Sequence, residues 1–427
     1  MKVLKERKSF DTSHKPLKPQ PYLMPIEWAG TAYYGVIAGC KINKINCEGL
    51  KPPYLVLQNH ASFVDFPMTV KAMFPHSTGW VISVEEFIGR EFLMRGIGGI
   101  YKRKFTQDLT VVKHILKMLT SYNRSCVIYP EARYSFAGIN EDIDGALGKL
   151  AKKAKCPVVV FIQRGNFLRS PQWCKHPYRR VRVEGDFIQV ATREEVMTLP
   201  ADEIQRRIED TFKYDEYKWQ YENRIKIKSK MRAHNIHKIL YQCPVCKTEH
   251  EMQSHGTMLW CEHCGAKWEM DEYGRMNCLT GEDTFCHVPD WYNWERSEVR
   301  KQIEEGSYRF EDEAVLRLMT TARKGFETLG DVKLIHDENG FTMHGIIGGE
   351  EFNFNRTVSS MRSLHIEFDF KKRGVPEPAD AIDLATLHET YFVFPKNAEN
   401  ALTKLHFATE ELHKYELERE AKAKANA

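Results

Sequence analysis

Two residues five positions apart, His60 and Asp65, have the chemistry of a general base and its orienter. They stand in Asn59-His60-Ala61-Ser62-Phe63-Val64-Asp65, directly after the apolar run Tyr54-Leu55-Val56-Leu57. That run reads as a short buried strand. The histidine therefore leaves a strand end, and the aspartate follows it. An aspartate so placed holds the imidazole in one tautomer and stabilises the imidazolium formed when His60 takes a proton. Ser62 reads as an N-cap, so that one helical turn brings Asp65 back to the ring.

A second constellation can bind metal. Cys243-Pro244-Val245-Cys246 and Cys261-Glu262-His263-Cys264 are two Cys-x-x-Cys knuckles separated by 14 residues. Four thiolates fill a tetrahedral Zn²⁺ shell, which makes the expected site closed and structural, not catalytic. Gly265 permits the tight turn after the second knuckle. Thr248–Met252 and Thr257–Trp260 read as two short strands, giving a zinc ribbon. His250 and His263 are not needed as ligands, and the other cysteines of the 11 are scattered, as in a reducing compartment.

Three further blocks follow the His60 segment in order: Gly98-Gly99-Ile100-Tyr101-Lys102-Arg103-Lys104, then Val127-Ile128-Tyr129-Pro130-Glu131-Ala132-Arg133-Tyr134-Ser135, then Cys156-Pro157-Val158-Val159-Val160. Together with His60 and Asp65 these resemble the four motifs of the glycerophospholipid (lysophosphatidate) acyltransferase family, over about the first half of the chain. The blocks depart from that family's pattern in places. The arginine of motif two falls on Lys104, with Arg103 one place early. In motif three the glycine is Ala132, the threonine is Arg133 and the arginine position holds Tyr134. In motif four Val160 replaces the second proline.

The resemblance implies transfer of a fatty acyl chain from acyl-coenzyme A or acyl carrier protein to the hydroxyl of 1-acylglycerol 3-phosphate, with His60 as base. It implies Glu131 as an acceptor contact and Arg103, Lys104 and Arg133 as phosphate contacts, since arginine grips phosphate bidentately and lysine acts as a point charge. Strand alternation would send Arg103 to one face and Lys102 and Lys104 to the other. Gly98 and Gly99 allow close backbone approach beside a phosphate. Arg164, Gly165 and Asn166 follow the fourth strand and line the same cleft or serve as ordinary loop residues. Another lysophospholipid or a glycolipid is the alternative acceptor. A non-catalytic zinc-ribbon module binding protein or nucleic acid is the alternative of a different class.

These residues need a scaffold, and 427 residues exceed one ordinary domain. Residues 1–235 hold 39 Lys+Arg against 24 Asp+Glu, and residues 236–427 hold 23 against 34, balances of +15 and −11. A basic and an acidic half predict separate modules: an acyltransferase domain over 20–235, the ribbon over 238–285 and a β domain over 305–415. In the first, strands alternate with helices, which predicts an α/β domain with a mixed or largely parallel sheet. Its expected elements include helices over Asp142–Ala154 and Ala201–Glu222, strands over Val158–Ile162 and Val181–Val183, and a turn at Gly185. From Phe310 onward, alternating strands, a hairpin at Asp337-Glu338-Asn339-Gly340 and a closing helix from about Glu399 to Lys424 resemble a pleckstrin-homology-like domain. The Trp-rich passage Pro289–Arg296 packs on the ribbon or marks a partner surface.

Mean hydropathy is negative and no apolar stretch reaches the length of a spanning helix. The charged, proline-bearing segment Met1–Gln20 is not a secretory signal. The expected location is cytoplasmic, peripheral on the inner face of a membrane. Pro25–Cys40 reads as an interfacial or a packed helix. Lys149, Lys152, Lys153 and Lys155, with Arg179, Arg180 and Arg182, are candidates to face lipid headgroups or an acidic carrier. The acidic second half argues for a protein contact and against nucleic acid, which needs a basic footprint.

Overall fold

The computed structural model describes residues 9–174, 179–281, 284–398 and 400–425; the first eight residues of the N-terminal segment and Glu399 of the expected last helix lie outside them. The first sheet contains β1 (Lys41–Ile45), β2 (Leu55–Gln58), β3 (Thr78–Ser83), β4 (Gly99–Lys102), β5 (Ser125–Ile128), β6 (Val158–Arg164) and β7 (Glu184–Ala191). Their order is β1-β7-β6-β2-β5-β3-β4, parallel throughout except for the antiparallel β6–β7 pair. The sheet is thus mixed and mostly parallel. Leu55, Leu57, Val158, Val160 and Ile162 pack on one face, and Val56, Val127, Val159 and Phe161 on the other. Residues facing alternate sides yet all apolar is what a sheet covered on both faces demands.

Several expected elements are shorter or shifted. Helix α1 (Met24–Ala38) rests on α2 (Asp65–Met73). The Asp142–Ala154 helix contracts to α3 (Leu147–Ala154). Ala201–Glu222 divides into α4 (Ala201–Thr211) and α5 (Glu216–Glu222), with Asp215 capping α5 through Lys218 N–H. The strand expected at Val181–Val183 begins at Glu184 instead, and Gly185 lies inside it because a side chain there would strike the Phe161 ring.

The second sheet has four strands, not two: β8 (Met252–His255), β9 (Met258–Cys261), β10 (Lys267–Met270) and β11 (Met276–Cys278), all antiparallel. The residues from Thr248 to Glu251 belong to the first knuckle. Helix α6 (Val288–Glu304) carries the Trp-rich passage and packs on this sheet: Trp291 meets Trp268 at 4.9 Å between ring centroids, and its Nε1 donates to Gln242 O at 3.0 Å.

The third sheet is antiparallel, in the order β15-β14-β13-β12-β18-β17-β16. Its strands are β12 (Phe310–Met319), β13 (Phe326–Asp337), β14 (Gly340–Ile347), β15 (Glu350–Arg356), β16 (His365–Phe370), β17 (Ala379–Ala385) and β18 (Thr390–Pro395), followed by helix α7 (Leu402–Ala425). The hairpin expected at Asp337–Gly340 joins β13 to β14, with Gly340 at φ +95°.

The three sheets share cores. One apolar cluster runs from Phe136 and Trp173 through Trp268 and Trp291 to Leu334, Phe368 and Phe407. A second joins Val84 and Phe87, in the short turn after β3, and Tyr101 of the first sheet to Phe326, Phe370 and Phe392 of the third. Apolar surface buried between sheets is lost from water as surely as surface buried within one. The acidic last third therefore packs directly on the basic first half.

Candidate active site

β2 ends at Gln58, and the chain then turns at the carboxyl edge of the parallel strands. Asn59 ties that turn to β6: its Nδ2 donates to Gln163 O and its Oδ1 accepts from Gln163 N–H, both at 2.8 Å. His60 follows, and its Nδ1 lies 2.8 Å from Asp65 Oδ2. The same oxygen accepts from the backbone N–H of Ala61 at 2.7 Å and of Ser62 at 3.1 Å, while Oδ1 accepts from Asn166 Nδ2 at 2.7 Å. Asp65 is therefore buried with both oxygens satisfied, as a buried carboxylate requires.

This corrects the capping expectation. Ser62 does not cap α2, whose flanking residue is Val64; the aspartate carboxylate itself gathers the free N–H groups of the turn. Because Asp65 only accepts, Nδ1 carries the proton and Nε2 is left with its lone pair. Nε2 has no hydrogen-bond partner among the described residues. Burial lowers the His60 pKa below its ordinary value, outweighing the pull of Asp65. The free imidazole is thus the resting form at neutral pH.

The block Tyr129–Ser135 wraps the histidine. Tyr129 and Tyr134 lie against its ring with centroids at 3.7 and 3.9 Å, and Ser135 N–H donates to His60 O at 2.7 Å. The ring is held between two aromatic planes while its side chain keeps 19% exposure. Ala132 closes the turn in the left-handed region at φ +58°, where the motif it resembles has glycine.

Glu131, expected to touch the acceptor, is buried and bonded inside the chain. It accepts from His60 N–H at 3.3 Å, Glu141 N–H at 2.9 Å and Tyr214 OH at 2.9 Å. Burial pushes its pKa up to about 8 against these bonds. In this structure it braces the His60 turn.

Arg103, Lys104 and Arg133 are likewise engaged by the chain. Arg103 donates to Thr12 Oγ1, Phe10 O, Leu387 O and His388 O. Lys104 lies among Glu85 at 2.5 Å, Glu367 at 2.9 Å and Asp383 at 3.2 Å. Lys104 and His365 hold Glu367 below the usual carboxylate range despite its burial, whereas burial pushes Asp383 up to about 7. Arg133 pairs with Glu141 and Glu410, each at 3.1 Å. The physical reason is the third sheet, which covers this edge and brings its own acids; removing one partner from such a buried pair costs about 3–5 kcal/mol. Because β4 ends at Lys102, strand alternation does not govern Arg103 and Lys104.

Gly98 and Gly99 serve packing. A Cβ on Gly98, at φ +85°, would lie 2.8 Å from Pro19 Cγ, and one on Gly99 would lie 2.4 Å from Met94 O. Of the loop after β6, Arg164 pairs with Asp186 at 2.6 Å and Gly165 N–H donates to Glu216 at 2.6 Å. Only Asn166 joins the site. Arg179 is buried against Trp173 and does not face outward; Arg180 and Arg182 are exposed. The stacking tyrosines, Asn59, Tyr214 and the distant acids were not singled out by sequence pattern. Tyr129 and Tyr134 stood inside the quoted motif, which was their only local signal.

The four cysteines converge. Cys243 and Cys264 sulfurs are 3.7 Å apart, Cys246 and Cys261 3.8 Å, and all four lie within 4.8 Å of one another. A Zn–S bond of about 2.3 Å gives a tetrahedral edge of about 3.8 Å, so the set fits a tetrahedral ion. Both knuckles fold alike, Lys247 N–H donating to Cys243 O and Gly265 N–H to Cys261 O, each at 2.9 Å. His250 stacks on Tyr241 and stays outside the set.

An Asp65→Asn variant is expected to lower kcat by about 10³-fold, because an amide loses the tautomer control of the carboxylate and meets the Asn166 amide as a second donor. Steady-state kinetics beside a thermal melt would check it; a kcat within threefold of wild type would refute the orienting role.

No curated protein sequence matches this chain. Among solved structures, the 1-acyl-sn-glycerophosphate acyltransferase PlsC of Thermotoga maritima is similar at 14% identity and a TM-score of 0.36, over 45% of this chain and 77% of that one. A family model described as Acyltransferase matches residues 41–162, a span holding β1 to β5, most of β6, His60, Asp65 and the wrapping tyrosines. The likeness to that family rests on this segment, less than a third of the chain.

Proposed function

We propose that the protein transfers an acyl chain from a thioester donor to a lipid hydroxyl, with His60 as general base. The observation that carries this reading is the His60–Asp65 pair at 2.8 Å, with Nδ1 committed and Nε2 free. The acceptor O–H proton passes to Nε2 as its oxygen attacks the thioester carbonyl. The tetrahedral adduct collapses, the C–S bond breaks, and the departing sulfur takes the proton back from the imidazolium. No acyl-enzyme is required.

The acceptor proposed is 1-acylglycerol 3-phosphate, as the motif order suggests, with acyl-coenzyme A or acyl carrier protein as donor. The intramolecular engagement of Arg103, Lys104 and Arg133 favours keeping a second reading, in which another lysophospholipid or a glycolipid accepts.

Peripheral contact with a bilayer is part of the proposal. No helix among the described residues is long and apolar enough to cross a membrane. Supporting contact instead, Tyr22, Ile26, Tyr33, Phe63 and Phe74 are exposed around α1 and α2, next to the His60 turn. A small apolar crevice, lined by Tyr34, Val64, Pro67 and Met68, lies between α1 and α2. The four cysteines are proposed to hold one structural Zn²⁺. The third sheet and α7 are proposed as a pleckstrin-homology-like domain that packs on the first; a protein partner of this half is a further possibility for test.

The experiment is acyl transfer by the purified full chain, offering each donor with 1-acylglycerol 3-phosphate, a second lysophospholipid and a glycolipid. Formation of the diacyl product with any acceptor is the expected result. Absence of product with every donor and acceptor would refute the enzymatic reading and favour the binding module.

A further inference from the structure

A phosphate-bearing acceptor needs a cation, and the three that the motifs supply are already spent inside the chain. Arg103 is bound by main-chain carbonyls, Lys104 by three carboxylates and Arg133 by two. Arg103 and Arg133 are buried and Lys104 is 10% exposed, and an anion would have to displace hydrogen-bonded partners from each.

Two other cations at the same edge are differently placed. Arg362 follows the short turn Val358–Ser360 in the third-sheet domain. Its Nη2 reaches Pro130 O at 3.4 Å, a long contact, and its Nη1 lies 3.9 Å from Asp144. The side chain is 32% exposed, and Asp144 is more exposed still. Pro130 stands between Tyr129, which covers the His60 ring, and Glu131, which binds the His60 backbone. Arg362 thus touches the loop that wraps the base, from a domain outside the family match.

Lys102 is the last residue of β4, half-buried, with its ammonium on Thr106 O. Among the described residues it forms no ion pair. Its burial lowers its pKa, and Arg362 lowers it further while Asp108 and Asp144 oppose. Among the described residues the acid paired with Arg362 is Asp144, loosely held at 3.9 Å. An anion lodged there would relieve the repulsion and take the place of that carboxylate.

We propose that Arg362, assisted by Lys102, is the phosphate handle for the acceptor, so that the third-sheet domain supplies a specificity-determining residue to the active site. This rests on the acyl-transfer reading and deepens it. A planar guanidinium beside a main-chain carbonyl can swing from a 3.4 Å contact to two charge-assisted bonds with phosphate oxygens. The lysine adds a point charge. The handle is thereby placed on the loop beside the base, and the buried motif cations are left to hold the two domains together.

The test compares two acceptors differing only in the phosphate, 1-acylglycerol 3-phosphate and 1-acylglycerol, with the wild-type chain and the R362A, R362K and K102M variants. Arg362 is at the surface, so R362A is expected to fold as the wild type does, checked by its melt. R362A should raise KM for the phosphate acceptor about tenfold to a hundredfold, with kcat within threefold and no change for 1-acylglycerol. R362K should recover part of the loss, and glycerol 3-phosphate should inhibit the wild type but not R362A. An equal effect of R362A on both acceptors, or none on the phosphate acceptor, would overturn the proposal while leaving the acyl-transfer reading standing. A wild-type chain indifferent to the phosphate would do the same. A wild-type chain using neither acceptor, while the other lysophospholipid and the glycolipid also fail, would remove the reading and the proposal together.

Discussion

Replacing His60 with alanine is expected to lower kcat/KM for acyl transfer by about 10²- to 10⁴-fold, the range that a positioned general base contributes. The cause is local. Nε2 is the atom left with a lone pair once Nδ1 is committed to Asp65, and the two tyrosine planes hold the ring in place. The loss should fall on kcat and kcat/KM alike, because the interaction forms only as the proton moves. The wild-type profile of kcat/KM against pH should carry an acidic limb below about 6.5, the ordinary histidine value. The sign follows from burial, which disfavours the charged ring and keeps the base form populated to lower pH. His60→Ala should lose that limb along with its rate. A variant that retains wild-type turnover, or a profile whose limb survives the substitution, would refute the assignment.

The second large effect concerns the four cysteines. Metal analysis of the purified chain is expected to return about one zinc per molecule, the complement of a closed four-thiolate site. Its removal by a chelator should lower Tm steeply. Structural zinc in small modules is worth about 10–16 kcal/mol, as large as the whole stability of a typical domain. Here the loss would spread, because Cys261 ends β9, and Trp268 in the next strand packs on Trp291 in a core shared with Phe136 and Phe407. Tryptophan fluorescence should shift as that core opens, and acyl transfer should fall with it through the Phe136 side of the site. Cys264→Ser, at an exposed ligand, should mimic the chelator. A chain free of zinc, or a Tm untouched by chelation and by Cys264→Ser, would show that the sulfurs converge for another reason.

The charge split between the halves also receives an explanation. The positive balance of the first half and the negative balance of the second suggested separate modules with separate partners. In the fold they meet each other. Lys104 takes Glu367 and Asp383, Arg133 takes Glu410, and Asp142 takes Lys414. Part of the positive charge of the first half is thus neutralised by the chain's own acids.

Some of the chemistry was legible in the residues alone. His60 and Asp65 lie within one turn after a strand, so their meeting depends on a few backbone angles that the local sequence dictates. The cysteine knuckles are the same case, because each closes over four residues by one local hydrogen bond. The parallel strands showed through their unbroken apolar runs. What no local pattern carried was the fate of each charge. Lys104 finds Glu367 at a separation of 263 residues, Arg133 finds Glu410 at 277, and Arg103 finds His388 at 285. A motif tells that a cation is present. Whether it stays free for a ligand depends on which acids fold against it, and burial makes that pairing obligatory, since an unpaired charge cannot be left in the interior. For the same reason Arg362, silent in the sequence, comes to stand beside the loop that wraps His60: its position is set by the packing of the third sheet on the first.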